Sequence, residues 1–268
     1  MMPEAPTFTG ARKLHGDWTV LSSFLPVPGV GGLPVNAFLL RGREPLLVDT
    51  GTPMLRDEFM AALEQQMDLE DLRWIWLSHT DADHTGALRA VLERAPRAEV
   101  VTTFVGYAKM QLLGLPTDRA RILQPGENLD IGDRRLAPVR PPWFDAPETL
   151  GFLDPRDNAL FVADCFGALL HDVAETAEEV VRHELMDGLT QWAAIDAPWL
   201  QHVDRRRFAQ TLASVERIAP SVLLSAHLPP ARSNVGALLR DSGRAVLDSL
   251  DIAPTDAVSM EGLLARAA

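Results

Sequence analysis

The chain has little with which to build covalent cross-links or a basic surface. A single cysteine, Cys165, stands among 268 residues. One thiol closes no intrachain disulfide and founds no cysteine-type structural zinc site. Lysine occurs only as Lys13 and Lys109, so arginine carries the remaining positive charge. The formal net charge is −12 and the pI about 5.0. That balance argues against nucleic acid, whose phosphates need a basic face, and against binding to an anionic membrane surface. No apolar run approaches the roughly 18 residues of a membrane span. The first 13 residues lack the continuous apolar segment of a signal peptide. A soluble, cytoplasmic protein is the expectation. The glycines at 29–32 are not followed by G-x-x-x-x-G-K-[ST], so no phosphate-binding loop is expected there.

What the chain does have is 47% apolar residues, enough for a substantial core. Residues 1–17 are poorly patterned, 18–25 read as a strand, and the Pro- and Gly-rich 26–32 as a loop. Residues 36–41 and 45–48 look like a hairpin around Gly42. Leu55, Phe59, Leu63 and Met67 recur at helical spacing, which predicts a helix packing one face on a sheet. Short apolar runs at 74–77, 99–103, 121–123, 135–139, 160–163 and 221–225 predict further strands, and 105–113 a short helix. Residues 172–218 read as a helical insert and 236–268 as a C-terminal helical region, its last part (254–268) a short helix or tail. Strands in runs, then alternation with helices, predict a layered α/β domain with mixed sheets. No repeat or linker divides it, so residues 1–268 are read as one domain.

The chemistry concentrates in Leu77-Ser78-His79-Thr80-Asp81-Ala82-Asp83-His84-Thr85-Gly86. An apolar strand precedes it and a helix pattern, from Ala87, follows. His79, Asp81, Asp83 and His84 therefore share a strand-to-helix turn, where neighbouring side chains can face one cleft. Two imidazoles and two carboxylates within six residues make a metal-ligand pattern. Partners should recur at other strand ends. Asp164 ends one strand, His227 follows another, and Asp145 lies in the Pro-rich loop 141–147. Cys165, beside Asp164, is expected to point the other way into the core. His15, His171, His183 and His202 lack partners at ligand spacing, although His171 or His202 could swing toward the site. Trp143 and Phe144 either wall the pocket or pack in the core.

Leu46-Leu47-Val48-Asp49-Thr50-Gly51, then Ser78-His79-x-Asp81-x-Asp83-His84-x-Gly86, then the strand-end Asp164 and His227, resemble the metallo-β-lactamase superfamily. Hydrolases of that superfamily carry H-x-H-x-D-H; here Asp81 replaces the second histidine. Flavodiiron proteins carry a carboxylate at that place, in H-x-E-x-D-H. The segments 32–40, 160–167 and 191–195 are similar to flavodiiron segments as well. This resemblance, over roughly residues 15–235, implies a metallo-β-lactamase-like αββα four-layer sandwich with a dinuclear metal site at one edge. It implies His79 and Asp81 on one metal, Asp83, His84 and His227 on the other, and Asp164 bridging. Asp49 would orient a ligand histidine from behind. The family's remaining ligand to the first metal is a histidine, and Asp145 falls at or near its place. Either Asp145 supplies that ligand or the first site is weak or empty.

A carboxylate-rich set suits iron or manganese better than zinc. Iron is the first expectation, with manganese and zinc as alternatives. The resemblance implies binding or reduction of O2 or NO, with Asp164 holding the ions together and electrons from an external donor protein. No flavin is expected on this chain, because the flavodoxin domain of the family has no counterpart in it. A homodimer is the expectation, since relatives often pair. The alternative is a hydrolase of an ester, thioester, lactam or phosphodiester, with Asp83 orienting a metal-bound water. A third reading is a single-metal binding protein.

Overall fold

A computed structural model describes residues 4–250. Two sheets face each other. The first has seven strands in sequence order: β1 (Thr7–Lys13), β2 (Trp18–Val27), β3 (Gly31–Leu40), β4 (Leu46–Val48), β5 (Trp74–Trp76), β6 (Glu99–Thr102) and β7 (Ala120–Ile122). Pairing is antiparallel from β1 to β4 and parallel from β4 to β7. The second sheet runs β13 (Leu228–Ala231), β12 (Val222–Ser225), β11 (Ala159–Phe161), β10 (Gly151–Asp154), β9 (Arg135–Val139), β8 (Leu129–Asp130). Only its β11–β12 pair is parallel.

Side chains alternate across a strand, so an apolar run buried on both faces feeds two cores at once. Leu46 and Val48 of β4, and Trp74 and Trp76 of β5, point between the sheets. There they meet Phe152, Phe161, Val222 and Leu224 from the second sheet. The intervening Leu47 and Ile75 point outward. They pack under α1 (Arg56–Gln66), α3 (Leu88–Arg94) and α4 (Phe104–Leu112) through Phe59, Leu63, Leu88, Val91 and Met110. On the far side, Leu160 and Leu223 meet α5 (Arg182–Asp196), α6 (Arg205–Ile218) and α7 (Val235–Ser249) through Leu189, Phe208, Leu212 and Leu239. Three apolar layers between helix, sheet, sheet and helix make the αββα sandwich.

Some sequence expectations need correction. The poorly patterned start contains β1, an edge strand whose register shifts between Phe8 and Gly10. The expected loop at 26–32 shrinks to a turn, because Pro26 and Gly32 are paired in the β2–β3 ladder. The strand β13 was not expected; its Pro229 and Pro230 are tolerated because it is the outer strand of its sheet. In the helical insert the first helix starts only at Arg182, and 172–181 is irregular apart from a single turn, Ala177–Glu179. The C-terminal helix reaches Ser249, and the expectation for 254–268 lies outside the described residues. No helix among the described residues is long and apolar enough to cross a membrane.

Candidate metal centre

Strand ends of both sheets converge at one edge of the sandwich. Past β5 the chain continues in register through Leu77 to Ser78, then turns into the single-turn helix α2 (Ala82–Thr85). Asp81 occupies the N-cap of α2 but makes no capping hydrogen bond. An aspartate there ordinarily bonds the helix N–H groups. Its carboxylate instead lies with His79 and Asp145, all three ligand atoms falling within 4.8 Å of one another. Gly86 ends the motif because nothing larger fits: a Cβ would come within 2.3 Å of the Pro53 nitrogen. Gly167, after Asp164, is required in the same way, with Trp192 and the His227 Cβ in its path at 2.5 and 2.8 Å.

The structure brings all seven expected residues together. His79, His84 and Asp164 form one group; Asp83, His84 and His227 a second; His79, Asp81 and Asp145 a third. His84 Nε2 lies 3.2 Å from Asp164 Oδ1 and 3.6 Å from Asp83 Oδ2. His227 Nε2 lies 3.4 Å from each of the same two oxygens. His79 Nε2 lies 3.4 Å from Asp164 Oδ2 and 3.9 Å from Asp145 Oδ2. His15, His171, His183 and His202 belong to no such group among the described residues.

Outer contacts aim the imidazoles. Asp49, just past β4, accepts from the Ser78 N–H at 2.8 Å and from Ser78 Oγ at 2.7 Å, and bonds His84 Nδ1 at 2.9 Å. A carboxylate partner assigns the His84 proton to Nδ1 and leaves Nε2 a lone pair. Ser78 Oγ spends its proton on Asp49, so toward His79 Nδ1, 3.0 Å away, it accepts. His79 Nε2 is thereby left as a lone pair too. His227 Nδ1 donates to the Pro34 carbonyl at 2.8 Å, with the same result. Trp192 of α5 donates to the Asp164 carbonyl at 3.1 Å and covers the His227 ring. Backbone strain gathers here: Asp49 and Ala163 adopt φ of 57° and 50°. Non-glycine residues in that region cost about 1–3 kcal/mol each and persist where surroundings impose them.

The electrostatics describe an anionic cavity. Burial works against protonation of His84, but Asp164, Asp83 and Asp49 outweigh it and hold the imidazole well above its usual range. His227, opposed by burial and raised chiefly by Asp164, is pushed up to about 9. Burial also opposes the charge on Asp164, yet His79, His227 and His84 hold its carboxyl well below the usual range. Burial raises Asp145, with Asp164 and Asp81 adding to it and His79 opposing.

The atoms that face this cavity fit a metal cation. His79 Nε2, His84 Nε2 and Asp164 Oδ1 are buried and make no hydrogen bond. Buried polar atoms left without partners are costly, and with the imidazoles neutral all three are acceptors, which satisfy none of one another. The donor set is imidazole nitrogen and carboxylate oxygen, with the nearby Cys165 turned away into the helical core. Such a set suits divalent iron, manganese or zinc.

One member of the neighbourhood is not legible in the sequence. Asp196, the last residue of α5, groups with Asp145 and Asp164. It follows the segment 191–195 directly, but nothing in its spacing marks it. Trp143, by contrast, is fully buried against Phe166 and Phe208 and belongs to the core.

Diflavin flavoprotein A 2 of a Nostoc species is 29% identical over 164 residues, which are 61% of this chain and 28% of that protein. The anaerobic nitric oxide reductase flavorubredoxin of Vibrio vulnificus is 28% identical over 163 residues, 58% of this chain and 32% of that one. The chain thus spans about a third or less of these curated relatives. Among solved structures, rubredoxin oxygen:oxidoreductase of Desulfovibrio gigas superposes with a TM-score of 0.77 at 17% identity, covering 90% of this chain and 61% of that one. The family model described as ODP family beta lactamase matches residues 33–227, from within β3 to His227 itself. The chain belongs to that family of the metallo-β-lactamase superfamily, and the relatives it resembles are diflavin flavoproteins and flavorubredoxins.

Proposed function

We propose that the chain is an oxidoreductase domain with a dinuclear, carboxylate-rich metal centre that takes iron and reduces O2 or NO with electrons from a separate donor. The observation that carries this reading is the convergence of His79 Nε2, His84 Nε2 and Asp164 Oδ1, buried and without hydrogen bonds. His79, Asp81 and Asp145 would hold one ion, Asp83, His84 and His227 the other, and Asp164 both. When bound, the ions supply the electrons or the polarising charge that the small molecule requires.

The protein's own residues set the conditions. Asp49 and the Pro34 carbonyl keep protons on the outer nitrogens of His84 and His227, so the inner nitrogens stay available. Asp81 and Asp145 stand where zinc hydrolases of the superfamily would be expected to use imidazole. More anionic ligands favour the higher oxidation state, which a redox site needs and a hydrolytic site does not. Asp81 is exposed and borders a cleft of about 590 Å³ with Thr80, Lys109 and Leu112. That cleft offers an approach from solvent on the Asp81 side.

The test is gas uptake by anaerobically iron-loaded protein supplied with a chemically reduced flavin. O2 or NO consumption that needs the protein, and that Asp164→Ala abolishes, is expected. An intact diiron protein that consumes neither gas, or that instead cleaves a thioester, lactam or phosphodiester, contradicts the reading.

A further inference from the structure

Asp196 has no place in the ligand set that the sequence motifs suggest. It comes from the second sheet's helical layer, at the C-terminal end of α5. Its Oδ2 is buried and makes no hydrogen bond. Its ligand atom lies within 4.8 Å of those of Asp145 and Asp164, and these three within 4.8 Å of one another. That span is comparable with the about 4.4 Å across one ion, twice a metal–oxygen bond of about 2.2 Å. The acidic cluster does not stand alone. His79 is fully buried, and its unpartnered Nε2 points at Asp164 Oδ2 and Asp145 Oδ2 from 3.4 and 3.9 Å.

We propose that Asp196 is a ligand of the first metal, reaching in from α5 beside Asp145, so that this site is built from His79 and carboxylates drawn from four separate segments. The inference rests on the dinuclear reading above. Three physical features agree with it. A carboxylate at a helix C-terminus faces the negative end of the macrodipole. Two further carboxylates stand beside it. Burial then removes the water that would soften both repulsions. A divalent ion relieves all three at once.

The tests are metal titration by calorimetry under anaerobic conditions, with Fe(II) and then Mn(II), on the wild type, Asp196→Asn and Asp145→Asn, and the melting temperature of each with and without metal. Two ions per wild-type chain are expected. Asp196→Asn should weaken one of them at least tenfold and leave the other unchanged, as Asp145→Asn should. Metal addition should raise the melting temperature of Asp196→Asn less than that of the wild type. Two ions bound with wild-type affinity to Asp196→Asn overturn the assignment while the dinuclear reading stands. A wild type that binds fewer than two ions overturns the dinuclear reading, and this inference with it. Should the variant not fold, anomalous diffraction from Mn-soaked wild-type crystals decides: an Asp196 oxygen within about 2.5 Å of a manganese supports the assignment, and a longer distance refutes it.

Discussion

Asp49 touches no candidate ligand atom that faces the cavity, yet it sets two of them. It holds Ser78 through both backbone and hydroxyl and holds His84 through Nδ1. Such outer partners fix ring orientation and basicity, and their loss typically lowers metal affinity about 10–100-fold. Asp49→Asn should therefore lower the affinity of the His84 site by that factor while leaving total fold content unchanged; equilibrium dialysis with metal analysis reads it. The histidines make a second expectation for metal-free protein. His227 has a folded-state value raised to about 9, above its unfolded value near 6.5. Stability from that shift is complete below pH 6.5 and is lost as pH rises through 9. Asp196, raised to about 8, acts with the same sign, since its charged form is the disfavoured one. Melting temperature of chelator-treated protein should fall between about pH 7 and 9.5. Metal-loaded protein, with neutral imidazoles on metal, should lose much of that slope. A metal-free melting temperature that is flat or rising over this range would show that the carboxylate field is not felt by these histidines.

Strand ends and tight helix contacts deliver the ligands, and the elements differ in how openly their sequences announce it. The β5–α2 turn was legible because an apolar strand, four ligand-type residues and Gly86 follow one another with no gap. Asp164 and His227 were legible as polar residues closing apolar runs, and β11 and β12 are indeed adjacent and parallel. Asp196 was not, because its position depends on how α5 docks, and helical spacing says which face is buried but not what its last residue meets. Docking is fixed at Gly188, whose Cβ would come within 2.1 Å of the Leu169 carbonyl, and by the Leu169 N–H, which donates to the Gly188 carbonyl at 3.2 Å. Gly188→Ala should force α5 off the 168–170 segment and cost about 1–3 kcal/mol, as overpacking does. It should also loosen Trp192 from the Asp164 carbonyl, visible as a change in tryptophan fluorescence. An unchanged melting temperature and spectrum would show that α5 has room to spare.

At the scale of the whole molecule, the centre sits where the two sheets are tied. Asn36 of β3 donates to the carbonyls of Ser225 and Leu228 at 3.1 and 2.8 Å, and its own N–H donates to Ala226 at 2.8 Å. Gly32 and Leu170 exchange hydrogen bonds nearby. The β5 and α2 side contributes His79, Asp81, Asp83 and His84, and the second sheet contributes Asp164 and His227. A layered α/β domain and the apolar runs of β4, β5, β11 and β12 were readable from residue pattern, because each strand feeds a core on both faces, whereas the αββα order came from the family resemblance. β1 and β13 were not readable, since edge strands tolerate the irregularity and proline that hide them. In the proposed centre, both halves of the sandwich hold two metal ions in one shared site. Mössbauer spectroscopy of protein loaded anaerobically with iron-57 and then oxidised tests it most directly. Two irons per chain with a coupled, diamagnetic ground state are expected, and Asp164→Ala should abolish the coupling. One iron per chain, or two with independent paramagnetic spectra, would contradict it.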